Sequence, residues 1–109
     1  MSIRLIMTSA DGSSRSFPLD GDRTTIGRRR SCDLHVPLPA IAPLHCEITV
    51  CGTSIRLRNR DPESQTWHNG HQVGEADLVD LDRVRVGPVE FTVSVRSDEV
   101  IIQRLDADQ

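Results

Sequence analysis

Arg28 invites a chemical reading first, because it directly follows Gly27 at the end of the strand-like run Thr25-Ile26. Its guanidinium is a planar fork of donors, matched to carboxylate or phosphate. Arg29 and Arg30 make it a cluster of three, but only Arg28 stands against the glycine, so it is the anion candidate and its neighbours read as solvated loop charges. A second basic set, Arg56, Arg58 and Arg60, falls on one strand face. That face is either a stripe for an acidic partner or, the reading we favour, the exposed side of a half-buried strand. Cys46, Cys51, His68 and His71 offer metal-binding atoms at loosely suggestive spacing. Alternation, however, turns Cys46 into the core and leaves Cys51 in a turn, so no metal and no cofactor is expected. No serine or cysteine carries a nucleophile-elbow pattern, and the acidic residues are scattered without a paired arrangement, which points away from an enzyme. Trp67 reads equally as a partner anchor or a packing residue.

At 109 residues with 37% hydrophobic content, the chain is long enough for one domain with a modest core. It has two Phe, one Trp and no Tyr, so Val, Ile and Leu must fill that core, and base stacking has little material to work with. The formal net charge of −3 argues against a general binder of nucleic acid or anionic membrane. No window reaches membrane-spanning length and the N-terminus lacks a basic-then-apolar leader, so a soluble cytoplasmic protein is expected. Three cysteines without secretory context imply free thiols.

The elements that must position Arg28 are strands. Ser2 to Thr8 and Arg15 to Leu19 form a hairpin, with turn signals at Asp11-Gly12 and again at Asp20-Gly21. Arg23 to Gly27 is a third run, followed by a loop to Asp33 and the short apolar Leu34-His35-Val36. Pro37, Pro39 and Pro43 then require an ordered loop. Cys46, Ile48 and Val50 alternate with Glu47 and Thr49, and Ile55 and Leu57 alternate with Arg56 and Arg58, giving the clearest hairpin. After a polar loop from Asn59 to Gln65, Thr66 to His68 is a stub before Asn69-Gly70, the strongest hairpin-turn dipeptide. Leu78 to Val86 and Val89 to Val95 form a third hairpin around Gly87-Pro88. With no amphipathic helix, the fold class is all-β: a two-sheet antiparallel β-sandwich with its long loops at one end. The domain spans residues 1–96, and 97–109 reads as a C-terminal edge strand or tail.

Ile26-Gly27-Arg28, Ser31-Cys32-Asp33-Leu34, His45-Cys46-Glu47-Ile48 and Asn69-Gly70, in that order and with a final Phe91-Thr92-Val93 strand, resemble the forkhead-associated (FHA) domain, one of the SMAD/FHA sandwiches. The resemblance covers nearly the whole chain. It implies a protein-protein interaction module in signalling or scaffolding that binds phosphothreonine peptides through its end loops, with a protein or phosphoprotein as partner. Arg28 matches the family's phosphate-binding arginine. His45 matches its loop-bracing histidine, Gly27 and Asp33 are expected to brace the loops with it, and Asn69 matches a further framework position.

Three residues depart from the pattern. Ala42 replaces the serine three residues before the histidine, and Pro43 stands where a basic residue is common. Without a gap, the loop that ordinarily reads serine, any residue, asparagine, glycine, threonine is Pro62-Glu63-Ser64-Gln65-Thr66, placing Glu63 at a phosphate-touching position. With a one-residue slip, Ser64 supplies the hydroxyl and Gln65 the amide, so that Arg28, Ser64, Gln65 and Asn69 make up the phosphopeptide-binding set. The ungapped register predicts that Glu63 pairs with Arg28 as a built-in phosphate substitute. The expected function is therefore peptide recognition that is weakened or phosphate-independent, or else ordinary phosphothreonine recognition in the slipped register.

Overall fold

The computed structural model describes residues 2–8 and 11–96. Eleven strands appear in chain order: β1 (Ser2–Thr8), β2 (Ser14–Pro18), β3 (Arg23–Gly27), β4 (Leu34–His35), β5 (Cys46–Cys51), β6 (Ser54–Asn59), β7 (Thr66–His68), β8 (His71–Val73), β9 (Glu75–Asp77), β10 (Arg83–Val86) and β11 (Val89–Arg96). They form a six-stranded sheet, β2-β1-β11-β10-β7-β8, and a five-stranded sheet, β4-β3-β5-β6-β9, with no helix among the described residues. This is the sandwich that the alternating pattern demands, since each sheet has one apolar face to bury against the other.

Side-chain alternation carries through the register. Ile3 and Leu5, Ile26, Cys46 and Ile48, Ile55 and Leu57, Val84 and Val86, and Phe91 and Val93 all face the shared core, with Phe91 the largest fully buried side chain. Phe17 meets Phe91 edge to face, with centroids 6.3 Å apart. The three expected hairpins pair as β1 with β2, β5 with β6, and β10 with β11.

Elsewhere the structure differs from the sequence reading. Strand β10 begins at Arg83 rather than Leu78, because Leu78 to Asp82 turns back on itself: Leu81 adopts φ 74° and its amide donates to Val93 O. Glu75–Asp77 forms a short strand beside β6 that its polar sequence conceals. Strands β3 and β4 pair in parallel, so the five-stranded sheet is mixed. The proposed edge strand or tail at 97–109 lies outside the described residues.

Pairing order also determines which loops meet. Thr66 pairs with Val86 and His68 with Val84, so the Gly87 turn and the start of β7 share one end of the sandwich. Gly87 fixes the loop from Pro37 to Leu44 there: it sits at φ +58°, and a Cβ on it would lie 2.8 Å from Ile41 Cδ1. Ile41 leaves its proline-rich loop to enter the core, where it is 1% exposed.

Candidate functional site

Three backbone segments converge at that end: Arg28 to Asp33 after β3, Pro37 to His45 before β5, and Arg60 to Gln65 before β7. The first two are in direct contact. Arg28 N–H donates to Ala42 O (2.9 Å), Arg29 N–H to Pro43 O (3.1 Å) and the Cys32 thiol to the same Pro43 O (3.2 Å). Gly27 permits this approach, since a Cβ there would lie 2.3 Å from Pro43 O and 2.9 Å from Cys32 Sγ. Asp33 closes the first loop onto its strand by accepting from Thr25 N–H and Oγ1, while its own N–H donates to Thr25 Oγ1.

His45 joins the second segment to the third. Only 1% exposed, it accepts the Ala42 N–H at Nδ1 (3.1 Å) and lies 2.8 Å from Gln65 O at Nε2. A carbonyl can only accept and an amide N–H can only donate, so His45 is the neutral tautomer with its proton on Nε2. Its own N–H donates to Ile26 O, and its carbonyl accepts from Arg60 N–H. The imidazole thus ties the Ala42 loop to the Gln65 loop, and the His45 backbone ties both to β3.

Arg28 lies at the rim of this assembly. Its Nε donates to Ile41 O (3.0 Å), which aims the guanidinium, and its terminal nitrogens have no acceptor among the described residues. It makes no ion pair with Glu63. The expected internal phosphate substitute is therefore not formed, because the Arg60 to Gln65 loop is organised around a different carboxylate. Asp61 accepts from Glu63 N–H (3.1 Å) and Ser64 Oγ (2.9 Å) in an Asx turn, which holds its carboxyl below the usual range. Asn59 clamps the loop from beneath, donating to Asp61 O and Ser64 O and accepting from Thr66 Oγ1. The sequence motifs give Asn59 and Asp61 no site role, although an Asx pair in a polar loop is a readable turn signal.

Among the other sequence candidates, Ala42 is buried, offers no hydroxyl and has its N–H taken by His45; Pro43 contributes only its carbonyl. Ser64 donates its hydroxyl within its own loop. Gln65 uses its carbonyl on His45, and its side chain borders a cleft of about 400 Å³ lined also by Glu63, Ser64, Trp67 and Arg85. Asn69 is not brought to Arg28. At the far end of β7 it takes φ 50° beside Gly70 at φ 85°, closes the hairpin, accepts from Arg83 N–H and donates to Asp82.

The Arg56, Arg58 and Arg60 face is internally neutralised. Arg56 pairs with Glu75 and Asp77, Arg58 with Glu75, and Arg60 with Glu47. Glu47 also binds Arg23; burial alone would raise its carboxyl, but hydrogen bonds from Arg60 and Arg23 outweigh this and hold it low. Cys46 is fully buried, its thiol pushed up to about 12 by desolvation.

Comparison with known proteins agrees with this architecture. The family described as "Inner membrane component of T3SS, cytoplasmic domain" (Yop-YscD) matches residues 8–97. No curated protein sequence matches the chain. Among solved structures, an FHA domain from a study of phosphothreonine-dependent FHA domain interactions is 26% identical, covering 89% of this chain and 99% of its own, with a TM-score of 0.81. The FhaA FHA domain, solved in complex with the intracellular domain of Rv3910, is 28% identical, with coverage of 84% and 98% and a TM-score of 0.75. The FHA domain of CT664 from Chlamydia trachomatis shares the fold at a TM-score of 0.83, with 15% identity and coverage of 89% and 100%.

Proposed function

The chain belongs to the forkhead-associated family, in the group described as the cytoplasmic domain of the T3SS inner-membrane component, and we propose that it is a non-enzymatic module that takes a threonine-phosphorylated peptide at Arg28 with a weakened grip. The observation carrying this reading is the state of Arg28: aimed through Nε by Ile41 O, left without a carboxylate partner, and with its terminal donors facing no acceptor among the described residues. All three strand arginines of the five-stranded sheet, Arg23, Arg56 and Arg58, and the adjoining Arg60 are paired with glutamate or aspartate. An anion fork kept free at the loop end fits a ligand dianion.

Weakness follows from the surrounding donors. Ala42 has no hydroxyl to add and Ser64 has given its own to Asp61, so few groups join Arg28 on a phosphate. In the stronger form of this function, Ser64 and Gln65 contribute, which requires Ser64 to leave Asp61 when peptide binds. The partner is a phosphoprotein on the cytoplasmic side, in keeping with the family description.

Calorimetric titration with phosphothreonine peptides tests the reading. Weak binding is expected for the phosphorylated peptide and none for its unphosphorylated twin, with loss in Arg28→Ala. Ala42→Ser should restore one charge-assisted hydrogen bond and tighten binding by about tenfold. Binding indifferent both to phosphate and to Arg28→Ala would overturn the proposal in favour of phosphate-independent docking. Ser64→Ala decides between the forms: no change is expected, whereas a marked loss would show that Ser64 takes part.

A further inference from the structure

Arg85 is another guanidinium with no carboxylate partner among the described residues, and it lies outside the loops. It stands on β10 directly across from Trp67 on β7, its guanidinium carbon 4.9 Å from the indole centroid. No hydrogen bond or ion pair engages its nitrogens among the described residues. Its neighbour on the same face, Arg83, makes only a 3.9 Å contact with Glu90. The indole packs against the Arg85 guanidinium, whose N–H donors engage no acceptor among the described residues, so less side-chain freedom is lost when an anion binds than for a free surface arginine.

Two depressions share this stacked pair. One, of about 400 Å³, reaches the loop end through Glu63, Ser64 and Gln65. The other, of about 460 Å³, continues along the sheet past Asn69, Gly70, Arg83 and Glu90. A peptide leaving the loop end therefore has a path onto the sheet that crosses Arg85.

We propose that this ridge is a second reading site, in which Arg85, backed by Trp67, takes an acidic side chain of the partner while its phosphothreonine sits at Arg28. The inference rests on the proposed phosphothreonine function and adds an acidic contact on the outer face of β7 and β10. A carboxylate fits better than a second phosphate because Glu63 and Glu90 bound the two depressions. Like charge at both rims opposes a dianion about twice as strongly as a monoanion.

Trp67 is the chain's one tryptophan, so its fluorescence reports on the ridge alone. Two phosphothreonine peptides serve as probes, one with Asp residues flanking the phosphothreonine on both sides and one with Ala in their place. Wild type should bind the acidic peptide up to about fivefold more tightly, the range of a partly exposed ion pair, and only that peptide should shift Trp67 emission. Arg85→Gln should abolish both the preference and the shift. Equal affinity for the two peptides, or a preference that survives Arg85→Gln, would overturn this inference while leaving the phosphothreonine reading standing. Failure of wild type to bind either peptide would overturn both.

Discussion

Gly27 and His45 illustrate why the scaffold of this site is stricter than its ligand groups. Both act on backbone: Gly27 by lacking the atom that would strike Pro43 O, His45 by matching one donor and one acceptor in different loops. Arg28 is exposed and held by a single side-chain hydrogen bond, to Ile41 O, whereas the glycine beside it has no alternative. Gly27→Ala should therefore separate the two loops and destabilise the fold by roughly 1–3 kcal/mol, the range for overpacking a filled site. Phosphopeptide affinity should fall with it although Gly27 donates nothing to a ligand. Urea denaturation and peptide titration of the same variant check both halves, and an unchanged midpoint would show that the Pro43 loop yields without strain.

Among the elements, those with an apolar period of two are legible in the sequence: β1 with β2, β5 with β6, and β10 with β11 read as hairpins because each pair offers alternating Ile, Val, Leu or Phe. Strand β9 is not. Glu75-Ala76-Asp77 has no apolar period, and it becomes a strand because its carboxylates meet Arg56 and Arg58 on β6, a pairing visible only once the two are neighbours. For the same reason the basic stripe dissolved, and the Glu63–Arg28 pair failed because Asp61, two residues upstream, captured the loop. Ile41 is the element-level feature with the clearest consequence. It is a core residue inside a proline-rich loop, and its carbonyl also aims Arg28. Ile41→Ala should lower stability by about 2–5 kcal/mol and, measured where the protein is still folded, should also weaken phosphopeptide binding. Ile48→Ala, equally buried but in β5, should lower stability alone. Equal loss of affinity in both variants would assign the binding effect to general loosening.

The molecule as a whole joins a weakly acidic chain to a loop end with unpaired arginine, and its folding should accordingly depend on acid. Glu47 is buried between Arg23 and Arg60, and Asp82 accepts from His68, Val79 N–H and Asn69; in both, burial would raise the carboxyl and the donors outweigh it, holding it below the ordinary 4.5 and 3.8. A carboxylate held lower in the folded state than in the unfolded chain adds stability that is fully present above the unfolded value and lost as pH falls through the folded one. The contribution of these two carboxylates should thus be constant from neutrality to about pH 5 and be lost below it, read as a fall in melting temperature in that range. Glu47→Gln separates this pair of contacts from the rest. At neutral pH it should lose about 1 kcal/mol, a modest figure because both arginine ends reach water and are screened. In strong acid, where the wild-type carboxyl is protonated and equally uncharged, the two proteins should converge. Melting curves that run parallel down to the lowest pH at which both fold would show that Glu47 stabilises by packing, and that the Arg23 and Arg60 pairs contribute nothing to the acid limb.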